Sequence, residues 1–241
     1  MGRGRRRTGR SSSRVATAIG GLLIVGLALY FGASPLEELL GDSTSPSGSS
    51  SVGTVGSVSE AGEVLANLPV ERPGSMSGYS REAFPHWSDG AENGWDVPSE
   101  SCDTRDAALI RDGENVAVGE SCSIDSGTWV DPYAGETNTD SSDVDIDHVV
   151  PLANAWRSGA KGWDEAKRER FANAPDNLLA SDAGENRSKG DRGPEAWRPP
   201  DRSAWCDYAI RWTRVKSEYQ LSVNPDEKAS LEEMLETCGA A

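Results

Sequence analysis

Asp145, Asp147 and His148 stand together in DVDIDHVVPLANAW, residues 143–156, and His148 is one of only two histidines in the chain. A strand packed into a sheet gains nothing from three ionisable groups in four residues. Hydrolysis of a phosphodiester would use all of them. It needs a base for the attacking water, polarisation of the phosphate and stabilisation of the leaving oxygen. An imidazole with an ordinary pKa near 6.5 suits the first task. Carboxylate and amide oxygens are hard ligands for a divalent metal that serves the other two. Downstream, Asn177, Asn186, Arg187 and Lys189 complete the set. In this reading His148 is the general base, and Asp147 and Asn186 hold the metal. Asn177 orients the imidazole, and Arg187 and Lys189 meet phosphate. Mg²⁺ or Mn²⁺ is the expected metal, with Zn²⁺ and Ca²⁺ left open. Asp145 has no role beyond a supporting one.

These residues need a scaffold of strand, long excursion, second strand and short helix. Residues 144–150 alternate acids with β-branched residues and read as a strand. A helix over about 163–173 opens on Asp164 and Glu165 and closes on basic residues, as the helix dipole favours. Asn177–Ala180 reads as the second strand. Asp182 with Glu185 resembles a capping box opening a short helix that stops at Gly190, with Asn186 and Lys189 sharing a face at i, i+3. One difficulty is geometric: neighbours on a strand point to opposite faces. Asp147 and His148 serve one site only if the strand ends there, and Pro151 predicts such an ending.

DxDHxxP, then an Asn, then N-R-x-K-G-D resembles the HNH (ββα-metal) endonuclease motif, including the HNH domain of RNA-guided CRISPR nucleases. The wider sequence resembles a narrower group, the HNH-like family that contains the C-terminal domain of GmrSD modification-dependent restriction enzymes and many exported bacterial proteins. The matching stretches are SGYSREAF, CDTRDAALIRD, SGTWVDPYAG, DIDHVVPLANAWRSGA, RERFANAPDNLLA, ENRSKGD and CDYAIRWTRVKSEYQLSVNP, which span most of residues 67–238. The resemblance implies His148 as base, Asp147 and Asn186 as metal ligands and Asn177 as the central Asn of the motif. Asn186 stands where some HNH enzymes carry a final His. DNA is the implied substrate.

The rest of the domain reads as α+β, with helices around a ββα-metal core. Helices are expected at 60–67, 79–84 and 103–111. Short strands are expected at 115–118 and 127–131, with a turn at Asp131-Pro132 and Gly135. Residues 202–219 place Trp205, Ala209, Trp212, Val215 and Tyr219 at helical spacing. Asn224-Pro225 then opens a second helix carrying Ala229, Leu231, Met234 and Leu235. The two helices form an antiparallel hairpin. Cys206 and Cys238 fall level at its open end and are expected to bridge, which leaves Cys102 to pair with Cys122.

Composition bounds where this domain works. The first 33 residues hold six arginines and no acid, and residues 15–33 form an uncharged apolar run of 19. That length suits a bilayer span of roughly 20 residues. The expected layout is a basic cytoplasmic tail (1–14), a transmembrane anchor or signal segment (15–33), a Ser/Gly-rich linker (34–59) and a nuclease-like domain (60–241). The anchored form places the domain outside the cell membrane; signal cleavage would release it as a secreted protein. Four cysteines without a CxxC pair agree with an oxidising compartment. The net charge of −15 makes the chain a poor non-specific binder of nucleic acid and argues against a high-affinity sequence reader. Only residues 148–216 have more bases than acids beyond the N-terminus, 13 against 10.

His86 reads as a packing or surface residue, the eight tryptophans as core, and the bases at 167–170 and 211–216 as solvated helix faces. The expected protein is a monomeric, metal-dependent DNA endonuclease with no organic cofactor. The alternative is a catalytically silent nucleic-acid-binding module on the same fold.

Overall fold

The computed structural model describes residues 57–239. The expected tail, anchor and most of the linker lie outside the described residues. Among the described residues no helix is long and apolar enough to cross a membrane.

Helix α1 (Val58–Asn67) begins where the Ser57 hydroxyl accepts from the Glu60 amide, and it buries Ala61 and Leu65. The expected helix at 79–84 is only a single 3₁₀ turn, Arg81–Ala83. Pro85 disfavours the α conformation at Phe84 and stops it there. Helix α2 (Thr104–Asp112) starts from a full capping box between Asp103 and Asp106. Strands β1 (Gly113–Val118), β2 (Ile124–Val130) and β3 (Thr137–Asn138) form an antiparallel sheet in that order.

Strand β4 (Val144–His148) pairs antiparallel with β5 (Leu178–Asp182), with His148 opposite Leu178 and Asp147 opposite Leu179. Between them run α3 (Leu152–Arg157), which no periodicity in the sequence marks, and α4 (Glu165–Ala172). Helix α5 (Ala183–Lys189) follows β5 directly. The Asp182 carboxylate caps it through the Gly184 and Glu185 amides, without the reciprocal bond of a capping box. Gly190 ends it at φ 57°, a left-handed conformation that only glycine adopts cheaply. Helices α6 (Trp205–Glu218) and α7 (Pro225–Leu235) make the antiparallel hairpin, and a Cys206–Cys238 disulfide closes its open end. A Cys102–Cys122 disulfide ties the approach to α2 to the β1–β2 turn. On the loop-entropy view a closure of this size stabilises by about 3 kcal/mol.

Two apolar cores flank the β4–β5 pair. The larger gathers Leu65, Phe84, Phe171, Trp212, Leu221 and Leu231 from α1, α4, the hairpin and intervening loops. The smaller joins α2 and Trp129 to Val144, Ile146, Leu178 and Ala180 on one face of the pair. Lys216, expected on a solvated face, is wholly buried in the hairpin, because Glu227 and several oxygens receive it there.

Candidate active site

Strand β4 stops at His148, three residues before Pro151. This ending resolves the geometric difficulty. Along the strand Asp145 and Asp147 share one face, and Ile146 and His148 the other. At the strand's last two residues both faces meet one cleft of about 340 Å³. Its walls include Asp147, His148, Asn186, Arg187, Tyr79 and Arg81.

His148 is buried at 5% exposure. Its Nε2 lies 2.9 Å from the Ala172 carbonyl oxygen at the end of α4. A carbonyl oxygen only accepts, so Nε2 carries the proton and Nδ1 keeps its lone pair. Burial is the main cause that lowers the imidazole pKa, to about 3, with the Arg81, His86 and Lys189 charges acting in the same direction. The ring is therefore neutral at physiological pH, the form a base requires. Trp87 packs against it, with ring centroids 5.9 Å apart, and His86 lies 6.3 Å away. Trp87 holds φ at 61°, an uncommon conformation for a bulky side chain and one that tends to occur near functional sites.

Asp147 is 3% exposed. Tyr133 donates its hydroxyl to Oδ2 at 2.6 Å, and the Lys189 ammonium lies 2.9 Å from each carboxylate oxygen. Desolvation raises the Asp147 pKa against the opposing pull of Lys189. It lowers that of Lys189 against the pull of Asp147. Burial beside this carboxylate pushes the Tyr133 phenol well above its usual value, so it stays a donor. An ionised carboxylate has about four acceptor positions. Three are taken here, and one on Oδ1 is left.

Asn186 donates from Nδ2 to Asp145 Oδ2 at 3.4 Å. Only the amide nitrogen can face a carboxylate, so Oδ1 is turned away from Asp145. Asp145, expected only in a supporting role, thus orients Asn186. Asp147 and Asn186 line one cleft, and a carboxylate with an amide oxygen is a donor set that fits Mg²⁺ or Mn²⁺ retaining several waters. Among the described residues no group of three or more His, Cys, Asp or Glu side chains could hold a metal ion.

Two expected roles change. Asn177 does not touch the imidazole. Its Oδ1 accepts from the Val150 amide at 2.9 Å, and its Nδ2 lies 3.4 Å from the Val150 and Phe171 carbonyl oxygens. It binds the chain leaving β4 to the end of α4, which supplies the Ala172 carbonyl. Lys189, expected at phosphate, is wholly buried and donates to Asp147 and to the His148 carbonyl oxygen at 2.8 Å. Sequence reasoning also passed over Tyr79, Arg81 and Tyr133. The signal was present, since SGYSREAF and SGTWVDPYAG carry them, but no local pattern links either stretch to His148. Arg81 and Arg187 are exposed on the cleft.

Residues 109–234 match the family model described as GmrSD restriction endonucleases, C-terminal domain. The chain is also 49% identical, over 184 residues, to an uncharacterized secreted protein of Arthroderma benhamiae. That match covers 76% of this chain and 86% of the relative. No solved structure matches.

Proposed function

The chain belongs to the GmrSD restriction endonuclease C-terminal domain family, and from that premise we propose that it is an HNH-type, metal-dependent endonuclease that hydrolyses DNA phosphodiester bonds. One observation carries the reading: a neutral imidazole, its Nε2–H committed to Ala172, lines a cleft shared with two hard oxygen donors and two guanidinium groups. Arg81 and Arg187 draw the phosphate in and fix its orientation. The Nδ1 of His148 takes a proton from the attacking water. Ala172 fixes the ring and its tautomer, and the imidazolium that forms is stabilised by the Nε2–H···O bond. Asp147 and Asn186 would hold a Mg²⁺ or Mn²⁺, which supplies charge neutralisation at the phosphate and at the leaving oxygen.

An extracytoplasmic setting fits the same reading. Both disulfides suit an oxidising compartment, the relative is named as secreted, and the apolar run 15–33 provides an anchor or a signal.

The direct test is to incubate the full chain, with both disulfides formed, with supercoiled plasmid and Mg²⁺ or Mn²⁺ across a pH series. Nicking that stops with EDTA is expected. DNA retention that persists in EDTA, with no nicking in any divalent metal, would mark a silent binding module and overturn the proposal.

A further inference from the structure

The loop that follows β2 reaches both elements that carry the proposed metal ligands. Tyr133 donates to Asp147 on β4. Two residues earlier, Asp131 accepts from the Asp182 amide at 2.8 Å, where β5 turns into α5, the helix bearing Asn186. The loop is stiff. The second Asp131 oxygen accepts from the Tyr133 and Ala134 amides at 3.2 and 2.6 Å. Its backbone closes through Asp131 N–H to Glu136 O and Gly135 N–H to Asp131 O. Asp201 N–H donates to the Tyr133 carbonyl oxygen at 3.0 Å. The Tyr133 ring lies edge-on to Trp197 and Tyr208, with centroids 5.2 and 5.8 Å away. Asp131 and Tyr133 are both almost fully buried.

Resting on the nuclease reading above, we infer that Tyr133 is a positioning residue for the metal, and that the Asp131–Tyr133 loop is a bracket holding Asp147 and Asn186 in register. The physical reason is that a metal with few protein ligands depends on how rigidly they are held. A carboxylate free to rotate spends part of its time with no oxygen toward the cleft. Tyr133 holds Oδ2 of Asp147 and Lys189 contacts both of its oxygens, which fixes the rotation of the carboxylate. Asp131 fixes the start of α5 from the same three-residue stretch, so one rigid unit sets the positions of both elements.

The test uses the full chain with its disulfides intact. Mn²⁺ is titrated calorimetrically without DNA, and plasmid nicking is followed against Mg²⁺ and against DNA separately. Loss of a partner that orients a ligand commonly weakens metal affinity about 10–100-fold. Y133F is expected to weaken Mn²⁺ binding by about tenfold at least and to raise the Mg²⁺ half-saturation similarly, leaving the DNA half-saturation unchanged. Y208F is the control, because the buried Tyr208 hydroxyl has no hydrogen-bond partner and its ring packs on Tyr133. It should bind Mn²⁺ as the wild type does. Y133F with wild-type Mn²⁺ affinity, or Y208F weakened as much as Y133F, overturns the inference. If Y133F does not fold, D131N is read instead; a folded D131N with unchanged Mn²⁺ affinity also overturns it. When the wild type binds Mn²⁺ and nicks DNA but Y133F matches it, only this inference fails. When the wild type does neither, the nuclease reading fails and the inference falls with it.

Discussion

Lys189 and Lys216 are both wholly buried, and each faces a buried carboxylate, yet the two pairs are built for different ends. Lys216 sits in the hairpin 3.0 Å from Glu227 Oε1 and also meets Asn154 Oδ1, Ser158 Oγ and the Ser222 carbonyl oxygen. Glu227 Oε1 takes a further bond from Trp212 Nε1, and Oε2 takes bonds from the Asn224 amide and side chain. All four acceptor positions of that carboxylate are occupied. It borders a cavity of about 50 Å³. Lys189 meets only Asp147 and one carbonyl oxygen, and Asp147 keeps an acceptor position beside a far larger cleft. A buried ion pair is therefore not a sign of function in itself. The uncommitted lone pair beside open space distinguishes the cleft-facing pair from the sealed one.

The widest separation between the two regions comes from the base beside the cleft-facing pair. H148A is expected to cut nicking by about 10²–10⁴, the usual contribution of a general base, with little loss of thermal midpoint. H148A nicking within tenfold of the wild type would remove His148 from the chemistry. In the sealed pair, E227A leaves a buried ammonium without its counter-charge and should cost about 3–5 kcal/mol in urea melts. Nicking per folded molecule should be unchanged. The double change K216M/E227M should recover most of that stability, since apolar replacement of a whole buried pair is commonly neutral or favourable. A double variant as unstable as E227A would mean that packing, not charge, holds the hairpin.

Acid sharpens the comparison further. The folded His148 pKa is lowered to about 3, whereas an unfolded histidine titrates near 6.5. Between those values the unfolded chain binds a proton that the folded site refuses. Stability is present above about pH 6.5 and is lost progressively as pH falls toward 3. In metal-free protein, urea midpoints should drop across that window, and H148A should flatten the drop. An identical slope in H148A would assign the acid limb to other groups. The smallest effect is expected from the cleft's rim. R81A should weaken DNA binding across sequences and reduce the salt slope by about one, measured by nicking rate against ionic strength. No change in slope would show that Arg81 does not meet phosphate.

Much of the molecule was legible because local rules agree with the fold. The Asn224-Pro225 start of α7 and the level positions of Cys206 and Cys238 marked the hairpin and its bridge. The acids within a β-branched run marked β4, and Asp182 marked the start of α5. The 79–84 helix failed because Pro85 cuts it to one turn. Helix α3 was missed because LANAWR is short and buried at five of its six positions, so it shows no amphipathic period. Lys216 was read as solvated because charge alone does not reveal that Glu227, eleven residues on, shares its interior.

The sequence by itself determined which groups are available and on which elements they ride. Asp147 and His148 are adjacent in the chain, and Asn186 follows a predictable cap. Alternation along a strand dictates that neighbours face opposite ways, wherever the strand lies. Tertiary structure alone decided where that strand ends and which distant atoms meet its last two residues. Ala172 selects the imidazole tautomer, Tyr133 and Lys189 take three positions of one carboxylate, and Asp145 turns the Asn186 amide. Such contacts depend on directions and distances between residues separated by 14 to 42 positions. No local period or propensity encodes them, because they arise only when the two apolar cores fix the elements around the β4–β5 pair.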